Sequence, residues 1–310
     1  MLKRVFNHHI GRFVTFGRRT PTIVQPHYRL SRYMTTEPTP PASVSYAPAA
    51  GPALSDVYCN NTLGCCVIAS GYHIEGVATG NAGNLFVASD AQIVTDYAHI
   101  GGYVPGNPAT DNGCEIQTAL AYWQAKGFAN GTKLLGYISA NATNKLELML
   151  GMYLFENCDF GVALPDAYIN PFPSGNGFVW DVAGATDPQN GHSFCSIGYG
   201  PSGALIDTWG LQGTFTWNAI AQYAILNSGG EVWFLLTPDI INKAMAKAPC
   251  GFNLNQLISD FDGLGGSVVV PPAPTPVPPP VPHPSITLAQ AQQAASAGAM
   301  AGLKTIWPSS

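Results

Sequence analysis

Gly64-Cys65-Cys66-Val67-Ile68-Ala69-Ser70, preceded by Asn60-Asn61-Thr62-Leu63, is the stretch from which the fold is read. A polar, turn-forming segment gives way at Cys66 to an apolar run. Val67, Ile68, Ile74 and Val77, with small Ser70 and Gly71 between them, predict a helix buried on most sides that stops near Gly80. A thiol at a helix N-terminus lies beside unpaired backbone N–H groups and the positive end of the dipole, which favour the thiolate. Such a nucleophile needs a base and a group to orient it. The chain offers His192, in Asn190-Gly191-His192-Ser193-Phe194-Cys195-Ser196-Ile197-Gly198-Tyr199, and then Asp207, in Asp207-Thr208-Trp209-Gly210.

Working outward, helices are expected at 89–99, 116–125 and 144–155, so the front section is mainly helical. Beyond it the texture changes. Residues 160–165, 178–183, 193–199, 203–209, 213–217 and 231–237 read as short strands between Gly, Pro, Asn and Asp clusters. Helices first and strands second imply an α+β domain of two lobes, with cysteine and histidine meeting at the cleft. Residues 238–266 read as two closing helices. Pairing of the strands that carry His192 and Asp207, across a turn near Pro201-Ser202-Gly203, is expected to set Asp207 beside the imidazole.

Together these residues resemble the papain-like cysteine peptidases, over about residues 40–240. In that family the nucleophile opens a helix, the histidine begins a strand ending in Gly-Tyr, and an Asn-Ser-Trp-Gly motif follows. The 126-residue spacing from Cys66 to His192 is close to the family's separation of about 130–150 residues. The resemblance implies a catalytic Cys66, His192 and Asp207, with Trp209 shielding the pair from water. It also implies an oxyanion donor at Asn60, six residues before the cysteine where the family has glutamine, with Asn61 as the fallback. The family pattern is departed from at Leu63 (cysteine in the family), Val67 (an aromatic) and Asp207 (asparagine). Cys65 leaves the nucleophile ambiguous, although the Cys66-x-x-Ala69-Ser70 register fits better. The reaction implied is attack on a peptide or protein amide through a covalent acyl-enzyme, without a cofactor.

The ends carry other signals. Seven of the 13 basic residues, every arginine among them, fall within the first 32 positions, and the first acid is Glu37. Residues 1–39 therefore read as a basic arm, irregular in structure with a turn at Phe16-Gly17-Arg18-Arg19, lying on an acidic body, with contact to nucleic acid or a membrane, or an organelle-targeting segment, as the other readings. Residues 40–266 read as the papain-like domain and 267–286 as a Pro-rich linker, since nine prolines occur in 271–284. Residues 287–310 read as a C-terminal helix. An arm and a tethered helix are also what a non-catalytic papain-fold module would use to bind an assembly partner, as in a viral or cell-surface particle. That reading stands as the alternative. The seven cysteines form no CxxC pair, so no metal site is expected, and His73 reads as core packing. No secretory signal, membrane span, nucleic-acid motif or phosphate loop is evident.

Overall fold

The computed structural model describes residues 2–8, 11–21, 27–36, 39–248 and 252–263. The Pro-rich linker, the expected C-terminal helix and Cys250 lie outside them. The chain begins with a hairpin of β1 (Arg4–Asn7) and β2 (Arg12–Thr15), followed by β3 (Tyr28–Arg29) and β4 (Val44–Ser45). A helical section comes next: α1 (Gly51–Leu54), α2 (Cys66–Asn81), α3 (Asp90–Gly101) and α4 (Ile116–Ala125). Then come β5 (Gly136–Ser139), α5 (Lys145–Phe155), β6 (Asp159–Pro165), β7 (Phe178–Trp180), β8 (Thr186–Tyr199), β9 (Gly203–Thr208) and β10 (Leu211–Thr216). The chain continues through α6 (Trp217–Tyr223), β11 (Glu231–Leu236), α7 (Pro238–Lys247) and α8 (Leu254–Gly263).

The local signals account for most of these boundaries. Ser89 and Gln92 form a capping box at the start of α3, and Gly102 ends it at φ 72°. Asn144 caps α5 by accepting from the Glu147 N–H at 3.1 Å. Helix α2 has no polar face, and its residues Cys66 to Ala78 are all buried, His73 and Glu75 among them, so it lies inside the molecule rather than on its surface. Several elements escaped the sequence reading. Helix α1 and strand β5 are only four residues long each, α6 begins where a strand was expected to end, and β1–β3 fall in the segment read as an irregular arm.

The main sheet runs β3-β5-β11-β6-β8-β9-β10-β7, with β4 added to β8. Its central strands divide the core by simple alternation, since successive side chains point to opposite faces. Phe160, Phe194, Phe215, Val232 and Phe234 face one hydrophobic cluster. Cys195, Ile197, Trp233 and Leu235 face the other, which is built around α2 with Ile68, Tyr72 and Trp123. The sheet is thus the partition between a helical lobe and a sheet lobe.

Residues 2–36 are less of an appendage than their charge suggests. Val14, Phe16, Leu30 and Tyr33 are fully buried or nearly so, and β3 pairs with β5 inside the main sheet. Their basic groups turn to the chain's own acids: Lys3 to Asp166 and Asp187, Arg18 to Glu231, and Arg32 to Asp260. Among the described residues no helix is long and apolar enough to cross a membrane.

Candidate active site

Cys66 opens α2 and is 1% exposed. Its sulfur accepts backbone N–H groups from Ser193 and from Gly17, a residue of the N-terminal segment. Burial pushes the thiol up to about 11, with Asp159 adding to the rise, while the two N–H donors and Arg18 offset part of it. In this arrangement Cys66 is a thiol at neutral pH. Cys65, the other cysteine considered, is fully buried, its sulfur is 3.3 Å from the Tyr58 carbonyl, and burial raises it well above the usual thiol range.

His192 lies on the opposite face of β8 from Ser193, the residue whose N–H reaches the Cys66 sulfur. Its Nε2 is 2.7 Å from Thr208 Oγ1, and its Nδ1 has no hydrogen-bond partner, Cys66 included. The ring stacks on Trp209 with centroids 4.0 Å apart and planes at 15°. Trp209 is placed there by a two-residue turn: it and Gly210, at φ 52° and 75°, join β9 to β10. A positive φ at tryptophan is unfavourable, and the surrounding aromatic packing of Phe16, Phe172 and Trp180 holds it. Burial lowers His192 to about 3, with a smaller contribution from His73, so the imidazole is neutral.

Asp207 does not meet His192, which corrects the expectation from the hairpin. The pairing of β8 with β9 sets Asp207 opposite Cys195, and directly paired residues share a face. Asp207 therefore points with Cys195 toward α2, where its Oδ2 lies 3.5 Å from His73 Nδ1. Thr208, one residue on, takes the His192 face. A one-residue step in a strand moves a side chain from one face of the sheet to the other. The expectation also put His192 at a strand start, whereas β8 begins at Thr186.

Asn60 is 2% exposed, and its amide donates to the Thr15 carbonyl at 3.1 Å and to Leu63 O at 3.0 Å. Asn61 contributes its backbone carbonyl to Arg4. The partner of Asn60 identifies what fills this region. Residues 15–19 run extended between the approach to α2 and the middle of β8, so the turn expected at Phe16–Arg19 is corrected. Thr15 N–H donates to Asn60 O at 3.0 Å, Arg18 N–H to Gly191 O at 3.0 Å, and Arg19 N–H to Cys114 O at 2.9 Å, while Gly17 O accepts from Cys114 N–H at 2.9 Å. The ring of Phe16 closes over His192, edge to face at 6.0 Å. Arg18 sends its guanidinium into the protein, where Nε and Nη2 donate to Glu231 Oε1 at 3.1 and 2.5 Å and Nη1 donates to Gly229 O.

Glycines line this passage because the backbones touch. A Cβ on Gly17 would collide with the Gly64 carbonyl, on Gly113 with the Gly17 carbonyl, and on Gly191 with the Arg18 carbonyl. Gly191→Ala is thus expected to push the segment from its seat at a cost of about 1–3 kcal/mol. The expected readout is tryptic cleavage at Arg18 and Arg19 that is faster than in the parent chain. Unchanged cleavage would mean that the segment is held from elsewhere.

Sequence reasoning missed three participants. Thr208 was quoted only as part of a tetrapeptide, and its place beside His192 rests on the β8–β9 register, which no local signal marks. Gly17 and Arg18 carried no local signal, because their place is fixed by walls distant in sequence. The described residues also bring together His73, Cys195 and Asp207, whose ligand atoms lie within 4.8 Å of one another.

No family model matches the chain, and no curated protein matches it in sequence. Among solved structures it is similar to xylellain, a cysteine protease from Xylella fastidiosa, at 14% identity and a TM-score of 0.54, over 76% of this chain and 98% of that one. It is also similar to the digestive procathepsin L2 proteinase from the larval midgut of Tenebrio molitor, at 16% identity and a TM-score of 0.51, over 72% of this chain and 78% of that one. A helical lobe opened by Cys66, a sheet lobe carrying His192, and these two likenesses agree on the architecture: the chain has the α+β fold of the papain-like cysteine proteases.

Proposed function

We propose that the chain is a papain-like thiol hydrolase acting on peptide bonds, held in a closed form by its own residues 15–19. The observation that carries this reading is the way that segment is bound. It is recognised through its backbone, by Asn60, Cys114 and Gly191, as a groove built for extended peptides recognises its ligand. Gly17 sits at the Cys66 sulfur.

In the open form Cys66 Sγ attacks the carbonyl carbon of the substrate amide. The thiol proton passes to His192 Nδ1, the ring nitrogen that lacks a partner, and then to the departing amine. Nε2 donates to Thr208 Oγ1 and fixes the tautomer, with Trp209 stacked on the ring to keep water away. Asn60 Nδ2, which donates to a carbonyl of the chain lying in the groove, and the Cys66 N–H would hold the oxyanion. Water then cleaves the thioester. In this scheme Thr208 takes the orienting role first expected of Asp207. Thr208→Val is therefore expected to slow His192-dependent alkylation of Cys66 about tenfold or more in a chain whose segment is released. An unchanged rate would remove Thr208 from the mechanism.

A second reading, a non-catalytic papain-fold module, is favoured by the burial of both groups and by a Cys66 thiol raised to about 11. Alkylation by a papain-directed electrophile separates the two, measured by peptide mass spectrometry on the full chain, an Arg18→Glu chain and an Arg18→Glu/His192→Ala chain. The hydrolase reading expects slow, fast and slow labelling of Cys66, in that order. Slow labelling in all three, with tryptic cleavage confirming a released segment, leaves the scaffold.

A further inference from the structure

Between α2 and the sheet, on the face away from His192, three side chains converge: His73 from α2, Cys195 from β8 and Asp207 from β9. They are 3%, 0% and 0% exposed. His73 Nε2 is 3.1 Å from the Asp56 backbone carbonyl, which can only accept, so Nε2 carries the proton. Nδ1 then turns its lone pair toward Asp207 Oδ2, 3.5 Å away. Neither oxygen of Asp207 has a hydrogen-bond partner. A buried carboxylate with no donor is a costly thing to build into a core, by several kcal/mol. It faces two further electron-pair donors, an imidazole nitrogen and a sulfur.

A proton shared between Nδ1 and Oδ2 would draw that pair to about 2.7–2.9 Å. It would also leave the second carboxylate oxygen unserved. A divalent cation serves all three groups. We propose that His73 Nδ1, Cys195 Sγ and an Asp207 carboxylate oxygen form a structural zinc site that pins α2 to β8 and β9.

The donor set of one nitrogen, one sulfur and one oxygen is the mixture that zinc accepts. Bonds of about 2.0–2.3 Å in a tetrahedron separate ligand atoms by roughly 3.3–3.7 Å, and the His73–Asp207 separation is 3.5 Å. Charge closes as well. Binding expels two protons to solvent, one from Cys195 and one from Asp207, which burial keeps as the acid when no metal is there, and thiolate and carboxylate then neutralise Zn²⁺ inside the core. The three groups supply three of the four positions of such a tetrahedron. The Asp56 carbonyl on Nε2–H is the outer partner that fixes a metal-binding histidine in one tautomer. This site is independent of whether the cleft is catalytic.

The test uses the untagged full chain purified without chelator, its zinc measured by mass spectrometry after dialysis, with X-ray absorption at the zinc edge. The expected result is one zinc per chain with one sulfur among nitrogen and oxygen ligands. Exchange for cobalt(II) is expected to give a thiolate-to-metal absorption in the near ultraviolet. That band should vanish in Cys195→Ser and persist in Cys66→Ser. His73→Gln should reduce bound metal to traces, and chelation of the parent chain should lower its melting temperature. The proposal is overturned if the chain is zinc-free and takes up neither metal on refolding. It is equally overturned if the bound metal lacks sulfur, or if Cys195→Ser retains the band. Should the variants not fold, the stoichiometry and ligand set of the parent chain decide.

Discussion

Arg18→Glu is expected to release residues 15–19 and to raise the alkylation rate of Cys66 by two orders of magnitude or more. The Arg18 side chain is 0% exposed and its partner Glu231 is 8% exposed. Two guanidinium nitrogens share one carboxylate oxygen and a third takes the Gly229 carbonyl. Removing one member of a buried pair strands the other, at about 3–5 kcal/mol, which is roughly a hundredfold to several thousandfold in an equilibrium. Reversal of the charge sets two carboxylates together and lies at the upper end. The strain falls on the segment, because the sheet continues through β11 and its neighbours without it. Two comparisons isolate the cause. Glu231→Gln keeps an acceptor for the guanidinium and should have a smaller effect. Arg12→Glu, on the exposed face of β2, should have almost none. Fast tryptic cleavage at Arg19 with a Cys66 that still does not react would keep the latch and discard the hydrolase. A segment that stays seated would discard both.

The contrast between what the sequence revealed and what it hid lies in how far each feature reaches along the chain. Helix α2 was legible because a run apolar on most sides is buried, and α3 and α4 because caps and periodicity are local. The strands from β6 to β11 were legible through their turn residues. Strand register was not. Whether Asp207 or Thr208 faces His192 turns on a one-residue phase across the β8–β9 pair, and that pair carries an irregularity between Ser196 and Gly198. Composition and spacing are blind to such a step. The cleft-filling segment was hidden for a different reason. Phe16-Gly17-Arg18-Arg19 reads locally as a turn, and only the walls made by Gly64, Gly113 and Gly191 stretch it out. His73 read as a core histidine, which its burial supports. That its Nδ1 faces a carboxylate and a thiol depended on two strands more than a hundred residues away.

Acidification is expected to loosen the same latch, by about 25-fold between pH 7 and pH 5. His192 is held near 3 because Phe16 and Trp209 keep it from water, and in a released cleft it would return to about 6.5. A base whose value is depressed in the closed form takes up its proton only on opening. Stability of the closed form is therefore complete above about pH 6.5 and is lost as pH falls toward 3. Asp166, which holds Lys3 of the arm, acts in the same direction at lower pH. Its carboxyl is kept below the usual range by Asn190 and by Lys3 itself, so the tether survives until the solution is more acidic. Asp159 lies near Cys66 and is raised to about 7 by burial; the hydroxyls that hold it, Ser70 and Ser193, belong to α2 and β8, and Arg18 of the arm adds only a smaller lowering. Hydrogen exchange of the Thr15, Arg18 and Arg19 amides, corrected for the intrinsic rate, reads the opening directly, since these N–H groups bind the cleft walls. Their protection should fall with pH in the parent chain and stay nearly level to pH 5 in His192→Gln. Equal pH dependence in both would exclude His192 as the proton-sensitive element of the latch.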